Sequence, residues 1–346
     1  MAFPKRIEML LFYKLVVSAL LLSSLLNLNS CSYGNPNSTL KTARILMGTL
    51  IEITVVGPQD KLQETTDAAL AEIKRIEDLA SFHKETELTE INKRAGISPV
   101  RVKPELVSLI ERALEISKLT DGAFDPTIGA IALLWNFSES EAPRLPGKDE
   151  IDQALKKVGW QKVEISTDKN EVFLPEKGMA LDLGGIAKCY SVNRAEEVIK
   201  SKGIKSALIN AGGDIAAFGG KEPGVPWKVG IQDPRDNSGI AAVVEVESGL
   251  VFTSGDYERF FEKNGKRYHH ILDPKTGYPA TRAESVTIVA PDGTRVEGLP
   301  AAIFVLGPKK GMRLLSKFKD VSCLIIDPDG KIIISPNAGS LFQVRR

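Results

Sequence analysis

Residues 227–289 read WKVGIQDPRDNSGIAAVVEVESGLVFTSGDYERFFEKNGKRYHHILDPKTGYPATRAESVTIV, and this stretch decides the fold. Trp227–Ile231, Ala241–Val246 and Ser285–Val289 are short runs rich in β-branched and small apolar residues, bounded by turn formers. Asn264-Gly265, set between Phe260-Phe261 and Tyr268, is a two-residue hairpin signal, because both positions of that turn need positive φ. Strands joined by such turns run antiparallel, since parallel neighbours need a crossover of roughly a dozen residues or more.

Outward from this core, Val163–Ser166, Glu171–Leu174 and Ala207–Asn210 also read as strands, and Arg44–Val56 as one more. Helical spacing of apolar residues marks Asp60–Ala80, a Pro104-led segment ending near Leu119, and Ile186–Ser201; Glu297–Val305 and Lys309–Phe318 follow. Strands and helices are interspersed without a regular βαβ period. The expectation is an α+β fold: one large domain over residues 43–346, of mixed, mostly antiparallel sheets with flanking helices.

The N-terminus is different. Lys5, Arg6 and Lys14 precede the apolar run Leu15–Leu26, which is too short for the roughly 20 residues a membrane span needs. It has the form of a signal peptide over residues 1–30. Leu28-Asn29-Ser30-Cys31 resembles a bacterial lipobox, implying lipidation of Cys31 and a periplasmic, lipid-anchored protein; an ordinary cleaved signal peptide is the alternative. Residues 31–42, with Gly34, Pro36 and several Ser and Asn, read as a flexible tether. With 45 Lys plus Arg against 44 Asp plus Glu, charge gives no case for a nucleic-acid partner. Besides Cys31, only Cys189 and Cys323 occur, and they are expected as two buried thiols.

Six segments between these elements are dense in Gly, Asp, Pro and other small residues. They are Met47-Gly48-Thr49, Asp121–Pro126, Asp182–Lys188, Asn210–Asp214, Thr253–Tyr257 and His270–Pro279. Singly each is a turn. Together and in this order, from about Met47 to Gly307, they resemble the FAD:protein FMN transferase (ApbE) family. The most specific runs are Gly-Ala-Phe-Asp-Pro-Thr at 122–127, Asp182–Lys188 and His-Ile-Leu-Asp-Pro-Lys-Thr-Gly-Tyr-Pro at 270–279.

The resemblance implies transfer of FMN from FAD to a threonine hydroxyl of an acceptor flavoprotein, with AMP released. It places FAD contacts at Met47, Phe82, Ala123, Phe124, Asp125, Asp182, Lys188 and Leu272, though the family often has Tyr at the position of Phe82. Gly184-Gly185 opening a helix suits a pyrophosphate, because exposed N–H groups there donate to anions, and Lys188 one turn in adds a positive charge. His270 is the candidate base for the threonine proton; His269 falls on the opposite face if the segment is extended. Mg²⁺ is implied at the Gly185 carbonyl, with Glu297 and Ala301 standing where the family has Asp and Thr. Spacing of four would put 297 and 301 on one helix face, but Ala301 brings no oxygen and water would have to substitute. Cys189, where the family usually has Gly, and Asn193, where it often has Asp, depart too. The alternatives are a Mg²⁺-dependent FAD pyrophosphatase on the same scaffold and a lipoprotein that captures FAD without turnover.

Overall fold

The computed structural model describes residues 37–345 apart from 138–143, 223 and 292–295. Cys31 and the rest of the leader lie outside the described residues. An eight-stranded sheet forms the centre, in the spatial order Asn37–Leu46, Thr49–Pro58, Ser206–Ala211, Asp214–Phe218, Ser248–Gly255, Ser285–Ala290, Ser322–Ile326 and Ile332–Ile334. Every pairing in it is antiparallel. The α+β class with antiparallel sheets and flanking helices is therefore observed as expected.

Side-chain alternation along these strands gives the sheet two apolar faces. Ile51, Ile53, Ile209, Phe252, Ile288 and Ile325 face one way, into a core shared with the helices Gln59–Ala80 and Gly184–Ser201 and with Leu299–Leu315, whose two helical runs are broken at Gly307, φ 75°. Each fully buried isoleucine there contributes roughly 1.5–3 kcal/mol. Ile215, Ala217, Val251, Leu324 and Ile326 face the other way, against Trp227–Asp233, Asp236–Val246 and Phe342–Val344, which form a second, three-stranded sheet. The Asn264-Gly265 hairpin is present, joining Phe260–Lys263 to Lys266–His269, with φ of 54° and 71° at its two central residues.

Two expectations are corrected. Arg44–Val56 is not one strand but parts of two, paired from Asn37↔Pro58 to Leu46↔Thr49. The turn is Met47-Gly48, at φ 54° and 69°, the conformation of a primed hairpin turn. A methionine at its first central position hides it, because Asn or Asp is the usual occupant there. Residues 37–42 are likewise strand rather than tether: Ser38, Leu40 and Thr42 alternate inward with half-buried side chains, and Leu40 packs on the main core. Thr39, Leu40 and Thr42 fit a pleated edge strand, and composition alone misses this alternation.

Candidate active site

At one end of the central sheet the Met47-Gly48-Thr49 turn meets the Gly212-Gly213 turn. The Gly212 amide donates to the Leu50 carbonyl at 3.2 Å, and a Cβ at Gly212 would stand 2.2 Å from Thr49 Oγ1, so only glycine fits. Lys188, one turn into the helix Gly184–Ser201, reaches this corner. Its ammonium lies 2.9 Å from Asp214 Oδ2 and donates to the Gly212 carbonyl at 3.3 Å. Burial alone would lower the Lys188 pKa, but the Asp214 charge outweighs it and the ammonium is held above its ordinary range. Asp214 is itself buried and accepts from the Thr253 amide at 3.2 Å, which ties the third glycine-rich strand end to the other two.

The segment 122–127 packs against the start of the same helix. The Asp182 amide donates to the Pro126 carbonyl at 2.7 Å, and Asp182 Oδ1 accepts from the Gly184 amide at 2.8 Å, a local turn that leads into the helix. Gly184 and Gly185 stay exposed. Asp125 is buried and accepts from the Thr127 hydroxyl at 2.6 Å, the Thr127 amide at 2.9 Å and the Trp160 amide at 3.1 Å. Burial still raises its carboxyl above the usual range. Ala123 and Phe124 are buried, and Phe124 Cε2 would lie 2.8 Å from a Cβ at Gly185 and 3.1 Å from one at Gly298. One aromatic edge thus rests on both glycines.

His270 follows the hairpin strand Lys266–His269, its amide donating to the Arg259 carbonyl at 3.0 Å and its Nδ1 lying 3.3 Å from the same oxygen. That contact assigns the ring proton to Nδ1 and leaves the Nε2 lone pair as acceptor. Burial, then the Arg259 charge and His269, push its pKa well below 6.5, so the ring is neutral at physiological pH. His269 turns the other way. It is buried, with Nε2 2.8 Å from the Ala280 carbonyl and Phe304 edge-on at 5.4 Å, a packing role. Asp273 organises the following loop, accepting from the Lys275 amide at 2.9 Å. Leu272 is buried with Ile131, Trp135 and Ile151, so its side chain is core and only its backbone is available to a ligand. Met47 is half-buried at its turn, and Phe82, half-buried after the helix Gln59–Ala80, meets His83 edge-on at 5.4 Å.

Glu297 and Ala301 do not share a helix face as expected. The helix starts at Leu299, after Gly298 at φ 78°, so Glu297 lies outside it and shares no helix face with Ala301. Pro300 falls in the first turn, where its missing N–H breaks no ladder bond. Glu297 is fully buried, accepting from Asn193 Nδ2 at 2.8 Å on Oε1 and facing Arg112 NH1 at 3.5 Å on Oε2. Ala301 packs on the main core. Mg²⁺ favours several oxygen ligands at 2.0–2.1 Å in near-octahedral geometry. Glu297, bonded to Asn193 and facing Arg112, and the Gly185 carbonyl would supply part of that set, and Ala301 supplies no side-chain oxygen. Among the described residues no group of three or more His, Cys, Asp or Glu is placed to hold a metal ion.

Asp214 and Arg112 carry site interactions that sequence reading left without a role. Asp214 ends the glycine-rich segment Asn210–Asp214, where an Asp signals only a turn; Arg112 sits in a plain amphipathic helix and gives no local signal. Cys189 and Cys323 are free and buried, as expected. A cavity of about 290 Å³ flanks the 270–279 loop, lined by Arg267, His269, Asp273, Tyr278 and Arg282 among others. It includes neither Lys188 nor Gly185. No described helix is long and apolar enough to cross a membrane.

Glycine-walled turns, an exposed helix start, one lysine held in an ion pair and a neutral histidine define an α+β protein equipped to hold a phosphate-bearing ligand. The ApbE family profile matches residues 47–325, and the chain belongs to this family. It is 36% identical over 321 residues to the FAD:protein FMN transferase of Treponema pallidum, covering 88% of each chain. It is 34% identical to that of Klebsiella pneumoniae, over 76% of this chain and 82% of the other. Among solved structures, the ApbE protein of Thermotoga maritima aligns with a TM-score of 0.83 at 36% identity, covering 89% of this chain and all of that one. The flavin transferase ApbE of Vibrio cholerae aligns with a TM-score of 0.75 at 27% identity, covering 87% and 98%.

Proposed function

We propose that this protein is an FAD:protein FMN transferase, moving FMN from FAD to a threonine hydroxyl of an acceptor flavoprotein. The observation that carries the reading is the convergence of Gly184-Gly185, Lys188 and the Gly212-Gly213 turn at one corner of the sheet. In the reaction the threonine oxygen attacks the phosphorus of the FMN half, the bond to the AMP phosphate oxygen breaks, and AMP leaves. His270 Nε2 takes the threonine proton. Its neutrality at physiological pH, forced by burial, suits a base. Lys188 and the exposed helix start stabilise negative charge on the pyrophosphate oxygens. Ala123, Phe124, Asp125 and Asp182 shape that wall, with Met47, Phe82 and the Leu272 backbone as further flavin contacts by resemblance.

A divalent ion such as Mg²⁺, when bound to the dinucleotide, neutralises phosphate charge. The Cys31 motif supports a lipid anchor on the periplasmic side of a membrane, with acceptors among flavin-carrying subunits there. Replacing Cys31 with serine should release the protein from the membrane fraction; persistent membrane association after a salt wash would refute the anchor. For the reaction itself, His270→Asn should cut transfer on the order of 10²–10⁴-fold while FAD still binds. A His270→Asn protein with undiminished transfer would remove the histidine from the chemistry.

A further inference from the structure

The strands Phe260–Lys263 and Lys266–His269 form a two-stranded sheet of their own, outside both larger sheets. Their register fixes which backbone groups are left over. The His270 amide donates to the Arg259 carbonyl, so 259 and 270 are a hydrogen-bonded pair, and by alternation 261 with 268 and 263 with 266 are the next two. The pairs 260 with 269 and 262 with 267 are then of the other kind, with amides and carbonyls pointing away from the hairpin. Among the described residues, no backbone hydrogen bond from outside the hairpin reaches Arg267 or His269.

The cavity of about 290 Å³ lies along this edge. It is lined by Lys266, Arg267, Tyr268 and His269 in succession and by none of Phe260–Lys263. Successive side chains of a strand point to opposite faces, so a cavity touched by all four follows the outer edge rather than one face. Tyr278–Arg282 forms the opposite wall, and His269 Nε2, 2.8 Å from the Ala280 carbonyl, spans the two. The walls carry Lys266, Arg267 and Arg282 against one carboxylate, Asp273, which is buried and 3.4 Å from Arg282. Arg267 is shared at 3.5 Å with Asp256 and Glu262, both outside the lining, and Lys266 Nζ lies 5.3 Å over the Tyr268 ring. An open strand edge beside three cations suits an extended chain with acidic side chains, whose backbone supplies affinity and whose charges supply selectivity.

We propose that this slot docks the acceptor: an extended, acidic segment of the acceptor protein adds as a third strand beside Lys266–His269. That strand leads directly into His270, so a threonine a few residues beyond the paired stretch, at roughly 3.3 Å per residue, is delivered to the histidine. Arg267 and His269 supply the backbone bonds, and Lys266, Arg267 and Arg282 select the acidic flank. The proposal rests on the transferase reading above.

The test uses two peptides of one design, each with a single threonine, flanked in one by Asp and Glu and in the other by Asn and Gln. With the purified chain, FAD and Mg²⁺, the acidic peptide should have a KM about tenfold lower at equal kcat, and rising salt should erase the difference. Lys266→Glu should shrink that ratio to under about threefold with the FAD Kd unchanged. Proline is tolerated where an edge amide faces outward, so Arg267→Pro should raise KM for both peptides above that of Arg267→Ala, which loses the same guanidinium but keeps the N–H. Independently of turnover, the acidic peptide with valine in place of threonine should slow amide exchange at Arg267 and His269, read by NMR, and leave Tyr268 unchanged. Unaltered exchange at both amides, with equal KM for the two peptides, would overturn the docking site and leave the transferase reading standing. Protection that rises with protein concentration in the absence of peptide would assign the edge to a second copy and overturn it too. Amides protected by a peptide that is never flavinylated would keep the slot and remove the transferase reading.

Discussion

Lys188 Nζ stands 2.9 Å from Asp214 Oδ2, joining the helix that opens at Gly184 to the strand that follows the Gly212-Gly213 turn. The pair holds the lysine beside the Gly212 carbonyl and balances a carboxylate that is almost wholly buried. Lys188 and Asp214 also act electrostatically on Glu258, so this corner is a small charged cluster rather than a lone cation.

Lys188→Met should therefore do two things. FAD affinity and transfer should fall together, on the order of 10²-fold in kcat/KM, because charge stabilisation is lost along with binding. Stability should fall by about 1–3 kcal/mol as Asp214 loses its partner, less than for a fully buried pair because Lys188 keeps some exposure. Urea unfolding of Lys188→Met beside Lys188→Met/Asp214→Asn checks this: the double variant should recover much of the loss. Equal instability of the two would mean that Asp214 is held by other groups.

Two histidines give the protein a defined acid sensitivity. Burial lowers the pKa of both His269 and His270, the latter well below 6.5. Below pH 6.5 the unfolded chain takes up protons that the folded chain refuses. Their contribution to stability is thus complete above about pH 6.5, the unfolded value, and is lost as pH falls from there through the folded values. The acid limb of the transfer rate should likewise lie below pH 6.5, where His270 at last protonates. Tm measured against pH should decline less steeply below that point in His269→Phe, provided the variant folds. An acid limb at or above pH 6.5 would contradict a desolvated base.

The loop that carries Leu272 and Asp273 is held from beneath by Trp135, which is fully buried and donates from Nε1 to the Gly277 carbonyl at 2.8 Å. Gly277 sits at φ 72°, and a Cβ there would meet Ile151 Cγ2 at 2.6 Å. Trp135→Phe keeps most of the apolar volume but leaves that carbonyl unsatisfied, a cost of about 1–3 kcal/mol. Tm should drop accordingly and KM for FAD should rise more than kcat falls, because the loop is mispositioned while the reacting groups remain. A variant with wild-type Tm would show that the hydrogen bond is replaced by water.

The parts of this molecule that were legible in its sequence are those fixed by local chemistry. The helix from Pro104 ends where read, at Leu119, and the Asn264-Gly265 turn needs only its own two residues. The edge strand from Asn37 and the Met47-Gly48 turn were hidden because each is stabilised by its partner strand, which no local pattern reveals. Gly184-Gly185 and Lys188 could be found as a motif, whereas Asp214 and Arg112 acquire their roles only when distant elements meet. Glu297 shows the limit most clearly. Spacing to Ala301 suggests a helix face, but Gly298 at φ 78° delays the helix, and Asn193 and Arg112 turn the carboxylate inward.

The central claim is that FMN ends on a protein hydroxyl. It is tested most directly by incubating the purified protein with FAD, Mg²⁺ and a peptide bearing an acceptor threonine, then recording intact mass of the peptide and the nucleotides released. The account predicts a peptide heavier by FMN less one water, with one AMP formed for each peptide modified. Free FMN and AMP beside an unmodified peptide would make the protein a hydrolase, and FAD recovered intact would make it a flavin-binding protein; either result would contradict the assignment.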